Sequence, residues 1–128
     1  MSTVNDEELK KVIADFLEMG HVENIIAMFR RKPAYFDWSG ELLEDDRFNV
    51  RLGLTILFEE MQAQGNAHLG RAVPSLARLL ENPSSLLRGE AVGILGIIGG
   101  TEARELIVAM QNDHNPQVRE MVALALEE

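Results

Sequence analysis

The chain has 128 residues, a net charge of −9 and no cysteine, and aromatic residues make up 5% of it. This length suits one domain or a short stack of repeats, and a composition rich in Leu, Ala and Glu favours an all-α fold. The acidic charge argues against nucleic acids and anionic membranes as partners, and the absence of cysteine excludes disulfides and fits a cytoplasmic location.

Residues 1–44 predict two helices and then an irregular segment. Asn5 precedes a run of acidic residues and can cap the first helix, with Glu8 placed to bond back to it. Apolar spacing carries this helix to Gly20 and predicts a second helix over residues 21–32, which ends before a proline. The acidic start is unlike a signal peptide, which also favours the cytoplasm.

The segment after the second helix holds the only cluster of aromatic residues. It contains the single tyrosine, Tyr35, and the single tryptophan, Trp38, on either side of Phe36-Asp37. Aromatic residues with polar groups are enriched in binding hot spots, so Tyr35 and Trp38 are candidate partner-binding residues. The alternative is that they fill the space between the first and second repeats.

The rest of the chain predicts a series of shorter helices separated by turn residues. Acids, serines or asparagines precede them, with Asp45-Asp46, Ser84 or Ser85, Thr101 and Asn115 as the expected caps. One helix contains Gly89, Gly93 and Gly96, each of which costs about 1 kcal/mol relative to alanine. We expect a neighbouring helix to approach closely there, a hinge being the alternative.

The same residues recur at a fixed offset. An offset of 31 residues pairs Arg88 with Arg119 and Leu95 with Leu126. Arg51 lies 37 residues before Arg88 rather than 31. A polar loop after the helix that contains Arg51 accounts for the six extra residues. Such a period indicates stacked helical repeats.

Two of these copies carry a family likeness. Asn82-Pro83 followed by Leu87-Arg88, and Asn115-Pro116 followed by Val118-Arg119, resemble the HEAT repeat, in its short form sometimes called the phycobilisome-lyase HEAT-like repeat. The resemblance implies a right-handed α-α superhelix, a HEAT/armadillo-like solenoid, of about 3.5 helix pairs. We expect a single domain over 1–128, composed of a degenerate N-terminal capping pair (1–44), repeats 45–81 and 82–113, and a terminal half repeat (114–128).

The resemblance also assigns a structural role to the recurring arginines Arg51, Arg88 and Arg119. In the family such an arginine pairs with an acid in a neighbouring turn and forms a ladder between repeats. The turns within these repeats have Asn66 and Gly100-Thr101 where the acid is expected. Glu102, Asp113 or a backbone carbonyl are therefore the alternative partners.

The sequence contains no catalytic constellation that we can recognise, and we predict no cofactor, metal or catalytic residue. We expect a non-enzymatic scaffold or adaptor that binds another protein through the concave face formed by the second helices. The candidate partner-binding residues on this face are Arg71, Ser75, Arg78, Glu102 and Leu106. The alternative is a non-catalytic subunit of a lyase or another modifying enzyme.

The last predicted helix is apolar on more than one side. The residues that suggest this are Val118, Met121 and Leu124. Terminal repeats usually present a polar outer face, so these apolar residues are unusual there. They are therefore candidates for an oligomer interface, and a homodimer formed through the C-terminal helix is the simplest version of it.

Overall fold

The computed structural model describes residues 4–127, and this range is helical without any β-strand. The predicted all-α fold is confirmed. The helices are α1 (Asp6–Glu18), α2 (Val22–Arg31), α3 (Ser39–Leu43), α4 (Phe48–Ala63), α5 (Val73–Leu79), α6 (Ser85–Ile98), α7 (Gly100–Val108) and α8 (Pro116–Leu126). Two 3₁₀-helices, Pro33–Trp38 and Leu69–Ala72, lead directly into α3 and α5.

The helices form two layers. Helices α1, α4, α6 and α8 pack side by side in this order and form what we call the first-helix layer. Helices α3, α5 and α7 pack in the same way and form the second-helix layer, while α2 packs on both α1 and α4. Most helices therefore contact a neighbour in sequence and the next helix of their own layer, which is the arrangement of a solenoid.

One hydrophobic core runs through the stack, and it includes the N-terminal helices. Phe29 of α2 and Phe36 of the first 3₁₀-helix are fully buried, with ring centroids 5.0 Å apart in an edge-to-face arrangement. Phe36 also contacts Phe58 of α4 at 5.8 Å. Phe36 is therefore the residue that fills the space between the first helices and α4.

Three of the five predicted helix caps are confirmed, and the cap at Asp45-Asp46 is wrong, because Arg47 is the N-cap of α4 and makes no side-chain cap bond. Asn5 accepts a hydrogen bond from the Glu8 N–H at 2.8 Å, and Ser84 and Asn115 accept comparable bonds at the starts of α6 and α8. The predicted cap at Thr101 is wrong, because α7 already begins at Gly100. Gly99 and Gly100 have φ values of 72° and 88°, and this left-handed turn starts the helix earlier.

The three recurring arginines make the same backbone contacts. In each case the guanidinium reaches back to the carbonyl oxygens five and six residues earlier, in the loop that enters its own helix. These bonds join Arg51 to Asp45 and Asp46 (both 2.9 Å), Arg88 to Asn82 and Pro83 (2.9 and 3.2 Å), and Arg119 to Asp113 and His114 (2.6 and 3.1 Å).

Two of the arginines also bind an acid further along the chain. Arg88 makes two hydrogen bonds to the Asp113 carboxylate, at 2.9 and 3.0 Å, and this pairing lowers the pKa of Asp113. Asn82 lies 31 residues before Asp113 and occupies the equivalent position one period earlier, but it carries no charge. Arg51 therefore finds no acid at that position and pairs instead with Glu90 of α6, at 3.0 Å. Asp113 was one of the alternatives considered from the sequence, whereas Glu90 was not.

Glycines of α6 allow α8 to approach closely. A Cβ atom on Gly96 would lie 2.9 Å from Cβ of Ala125 and 3.3 Å from its Cα, and one on Gly93 would lie 3.0 Å from Cε of Met121. There is no room for a side chain at Gly96 without moving α8. The predicted close approach of a neighbouring helix is confirmed.

Candidate protein-interaction surfaces

The second-helix layer carries the residues that the sequence nominated for a concave binding face. Arg71, Arg78 and Glu102 are exposed, and Leu106 is half-buried. Arg71 binds Asp37 through two hydrogen bonds of 3.1 and 3.3 Å, which link the two 3₁₀-helices. This surface is thus largely charged, and one of its two arginines already has an acidic partner.

Ser75 differs from the other nominated residues because it is buried, with 6% of its surface exposed. Its hydroxyl donates to the Ala72 carbonyl oxygen at 3.1 Å and accepts from the Gly40 N–H at 2.9 Å. A side chain on Gly40 would collide with the Ser75 carbonyl group. Ser75 therefore holds α3 against α5 and is not available to a partner.

The nominated aromatic residues are half-buried. Tyr35 and Trp38 pack with ring centroids 5.0 Å apart. Lys10 Nζ lies 5.1 Å from the Trp38 ring and Lys32 Nζ lies 5.2 Å from the Tyr35 ring, both within cation–π distance. Lys10 also binds Glu41 at 2.9 Å, and this bond raises the pKa of Lys10. Both rings are therefore packed against neighbours and expose only part of their surface.

The three C-terminal candidates are in different environments. Val118 is 1% exposed and belongs to the packed interior, and Met121 is half-buried against the glycines of α6. Leu124 is 56% exposed, and the exposed Glu120 and Glu127 lie on the same side of the helix. Of the three, only Leu124 is available for a two-fold contact, and its acidic neighbours would repel their copies, which disfavours a homodimer through this helix.

A surface that the sequence interpretation did not nominate lies on the first-helix layer. Phe48 and Leu52 of α4 are 62% and 43% exposed, and Leu86 of α6 is 54% exposed. A hollow of about 290 Å³ between α4 and α6 is lined by Phe48, Leu52, Ile97 and Met121, among others. We call this hollow, together with these exposed apolar residues, the α4–α6 groove.

A second hollow, of about 610 Å³, lies on the other side of α4, against the turn between α1 and α2. Near it the Arg47 guanidinium binds Asp15 and Glu18 at 2.9 Å and Asp45 at 3.0 Å. Arg47 lowers the pKa of both aspartates. This network fixes the entry of α4 against α1, and the single positive charge of Arg47 offsets one of the three negative charges.

Helix pairs stacked in two layers with an open outer surface define a helical-repeat solenoid. The sequence model of HEAT repeats matches residues 36–127, and the chain belongs to the HEAT-repeat family. HEAT repeats are commonly protein-interaction scaffolds and are typically non-catalytic. None of the curated proteins and none of the solved structures matches the chain. Over residues 4–127 no helix has the length and apolarity needed to cross a membrane.

Proposed function

We propose that this protein is a non-enzymatic scaffold or adaptor that binds another protein in the cytoplasm. The observation that carries the proposal is the set of large apolar side chains, Phe48, Leu52 and Leu86, that are all exposed on the first-helix layer outside the packed core. Exposed apolar surface with a polar rim marks interaction sites in folded proteins. The helices that present it are rigid, so little order has to be created on binding.

The two layers offer different kinds of contact, and their magnitudes favour the first-helix layer as the main surface. Burying one large apolar side chain contributes about 1.5–3 kcal/mol, whereas an exposed ion pair contributes about 1 kcal/mol or less. The second-helix layer, with Arg71, Arg78, Glu102 and Leu106, is then a secondary surface that adds specificity. Tyr35 and Trp38 lie near the Arg71–Asp37 pair and belong to this secondary surface.

Photo-cross-linking in cells of the source organism tests the proposal. A benzophenone amino acid would replace Phe48 in one strain and Arg78 in another, and cross-linked products would be identified by mass spectrometry. We expect a discrete cross-linked protein from position 48, and its loss when Leu86→Glu is added. Failure to obtain a protein cross-link from either position would contradict a scaffold role.

The same experiment addresses the alternative function. A cross-linked enzyme whose activity depends on this chain would identify it as a non-catalytic subunit of a lyase or another modifying enzyme. A cross-linked protein without such dependence would support the adaptor. The two outcomes are separated by assaying the partner with and without this chain.

A further inference from the structure

Three hollows lie side by side across the first-helix layer. Leu52 lines both the hollow against the α1–α2 turn and the α4–α6 groove. Glu90 and Met121 line the α4–α6 groove and also a third hollow, of about 160 Å³, between α6 and α8. The α4–α6 groove runs along α4 from Phe48 to Glu59, over about 16 Å. This length fits about three turns of a partner helix.

The floor of the groove is apolar. Phe48, Leu52 and Leu86 are the most exposed of its apolar side chains, and Ile97 and Met121 are half-buried beside them. Gly93 carries no side chain, so the groove stays open between α4 and Met121. A partner that fills it must therefore present a row of apolar side chains.

The charges around this floor are acidic. Glu23 and Glu60 line the hollow against the α1–α2 turn, and Glu59 lines the α4–α6 groove. Within residues 4–127 no cationic group lies within 4.0 Å of these three carboxylates. Arg51, the one arginine of the groove lining, is already paired with Glu90. The unpaired charge of the groove is thus negative.

These observations identify the chemistry of the partner. We propose that the groove binds an amphipathic helix of another protein, with apolar residues on one face and Lys or Arg residues beside them. The inference rests on the proposed scaffold function and names its partner. A second copy of this chain is a poor occupant, because each copy brings a net charge of −9. An acidic peptide would be repelled for the same reason.

Synthetic helices of about 14 residues test the inference by fluorescence anisotropy. One peptide has Leu on one face and Lys on the other, a second replaces each Lys by Glu, and a third has the composition of the first in scrambled order. We expect the Leu/Lys helix to bind, and the other two to bind at least about tenfold more weakly. Amide chemical-shift changes should be confined to α4, α6, the α1–α2 turn and the part of α8 around Met121.

Charge-matched variants separate a specific groove from general attraction to an acidic protein. Glu59→Gln/Glu60→Gln removes one acid of the groove and one of the hollow beside it, and Glu81→Gln/Glu105→Gln removes two exposed acids that line neither. We expect the first variant to weaken binding about tenfold and the second by less than about twofold. Equal effects of the two variants would overturn the inference, as would equal binding of the scrambled peptide.

An apolar pair of variants provides a second readout. Phe48→Ser should weaken binding of the Leu/Lys helix about tenfold, whereas Val108→Ser, on α7, should leave it unchanged, although Val108 is also 40% exposed. If no peptide binds while cross-linking from position 48 still captures a protein, the basic helix is wrong and the scaffold function stands. If cross-linking also fails, the proposed function itself falls.

Discussion

The contacts between successive helices of the first-helix layer, which we call joints, differ sharply along the stack. The α6–α8 joint is closed, because α8 packs directly on the backbone of α6. The α4–α6 joint is open and forms a groove. One, five and eight residues after the recurring arginine, α6 has Gly89, Gly93 and Gly96, whereas α4 has Leu52, Ile56 and Glu59.

A few side chains therefore determine whether a joint only holds the stack together or also offers a surface to a partner protein. Small residues let two helix backbones approach, and larger ones hold them apart. The larger residues of α4 are apolar near the start of the helix and acidic near its end. They therefore hold α4 and α6 apart and also determine which side chains line the edge of the groove. The repeat architecture itself is unchanged between the two joints.

The recurring arginine of α4 gives the largest expected effect on stability. Arg51→Ala removes a side chain that is 8% exposed and leaves Glu90 without its cation, with Oε2 buried and without a hydrogen bond. Breaking such a pair on one side should lower the free energy of unfolding by about 3 kcal/mol. Arg119→Ala is the matched control, because Arg119 is exposed and bonds only to carbonyl oxygens, and we expect about 1 kcal/mol or less.

Urea and thermal unfolding of both variants, and of Arg88→Ala as an intermediate case, measure the free energy of unfolding and the melting temperature. Arg88→Ala should lower the melting temperature without abolishing partner binding. An unchanged melting temperature for all three variants would remove the structural role that the family resemblance implies.

A leucine at the closed joint is expected to have the next largest effect. Gly96→Leu places a side chain where Ala125 already lies, and overpacking of this kind costs up to about 3 kcal/mol. Better helix propensity offsets about 1 kcal/mol, so the net loss should be about 2 kcal/mol in urea unfolding. Gly70→Leu is the control, since nothing lies within 4 Å of a Cβ atom there. Equal stability of the two variants would mean that the joint is not tightly packed.

Much of the fold could be predicted from the sequence because it depends on local signals. The period of the arginines, the caps at Asn5 and Asn115 and the stripes of apolar residues all act within one or two helical turns. The close approach at Gly96 followed from the cost of glycine in a helix. These signals were sufficient for the architecture of the repeats.

The exposed surfaces were harder to predict from the sequence, because exposure depends on which side of a helix packs against a neighbour. Apolar spacing does not tell which apolar residues of a helix are covered by a neighbour, and Phe48 and Leu52 of α4 are open to solvent. Ser75 is predicted on the concave binding face, whereas in the structure it is buried and its hydroxyl accepts a hydrogen bond from the Gly40 N–H. The sequence does show that α4 has larger residues at the positions where α6 has glycines. The consequence of this difference becomes clear only from the structure, where α8 packs on the glycines of α6.

The ion pair next to the closed joint should give a smaller, pH-dependent effect. Arg88 holds the pKa of Asp113 below its ordinary value of 3.8, so the unfolded chain takes up a proton at this group before the folded chain does. The stabilisation is therefore complete above about pH 5 and is lost as the pH falls through the unfolded and then the folded pKa. Asp113→Asn should lower the free energy of unfolding at pH 7 by up to about 1 kcal/mol.

The difference between wild type and Asp113→Asn should shrink as the pH is lowered to about 3, as measured by urea unfolding at each pH. Other aspartates, such as Asp15 and Asp45, titrate equally in both proteins and cancel in this difference. A difference that stays constant with pH would mean that the charge of Asp113 does not contribute to stability.

The smallest change in stability is expected at the open joint. Phe48 is 62% exposed and its ring lies 5.9 Å from the Arg51 guanidinium, so Phe48→Ser should change the free energy of unfolding by about 0.5 kcal/mol or less. Met121→Ala, at the closed joint, should cost about 2 kcal/mol, because Met121 packs on Gly89 and Gly93. Thermal and urea unfolding compare the two. A loss at Phe48 as large as that at Met121 would mean that Phe48 belongs to the core. A negligible loss leaves binding as the reason for an exposed phenylalanine at this position, because solvent exposure of so large a ring adds nothing to the folded state.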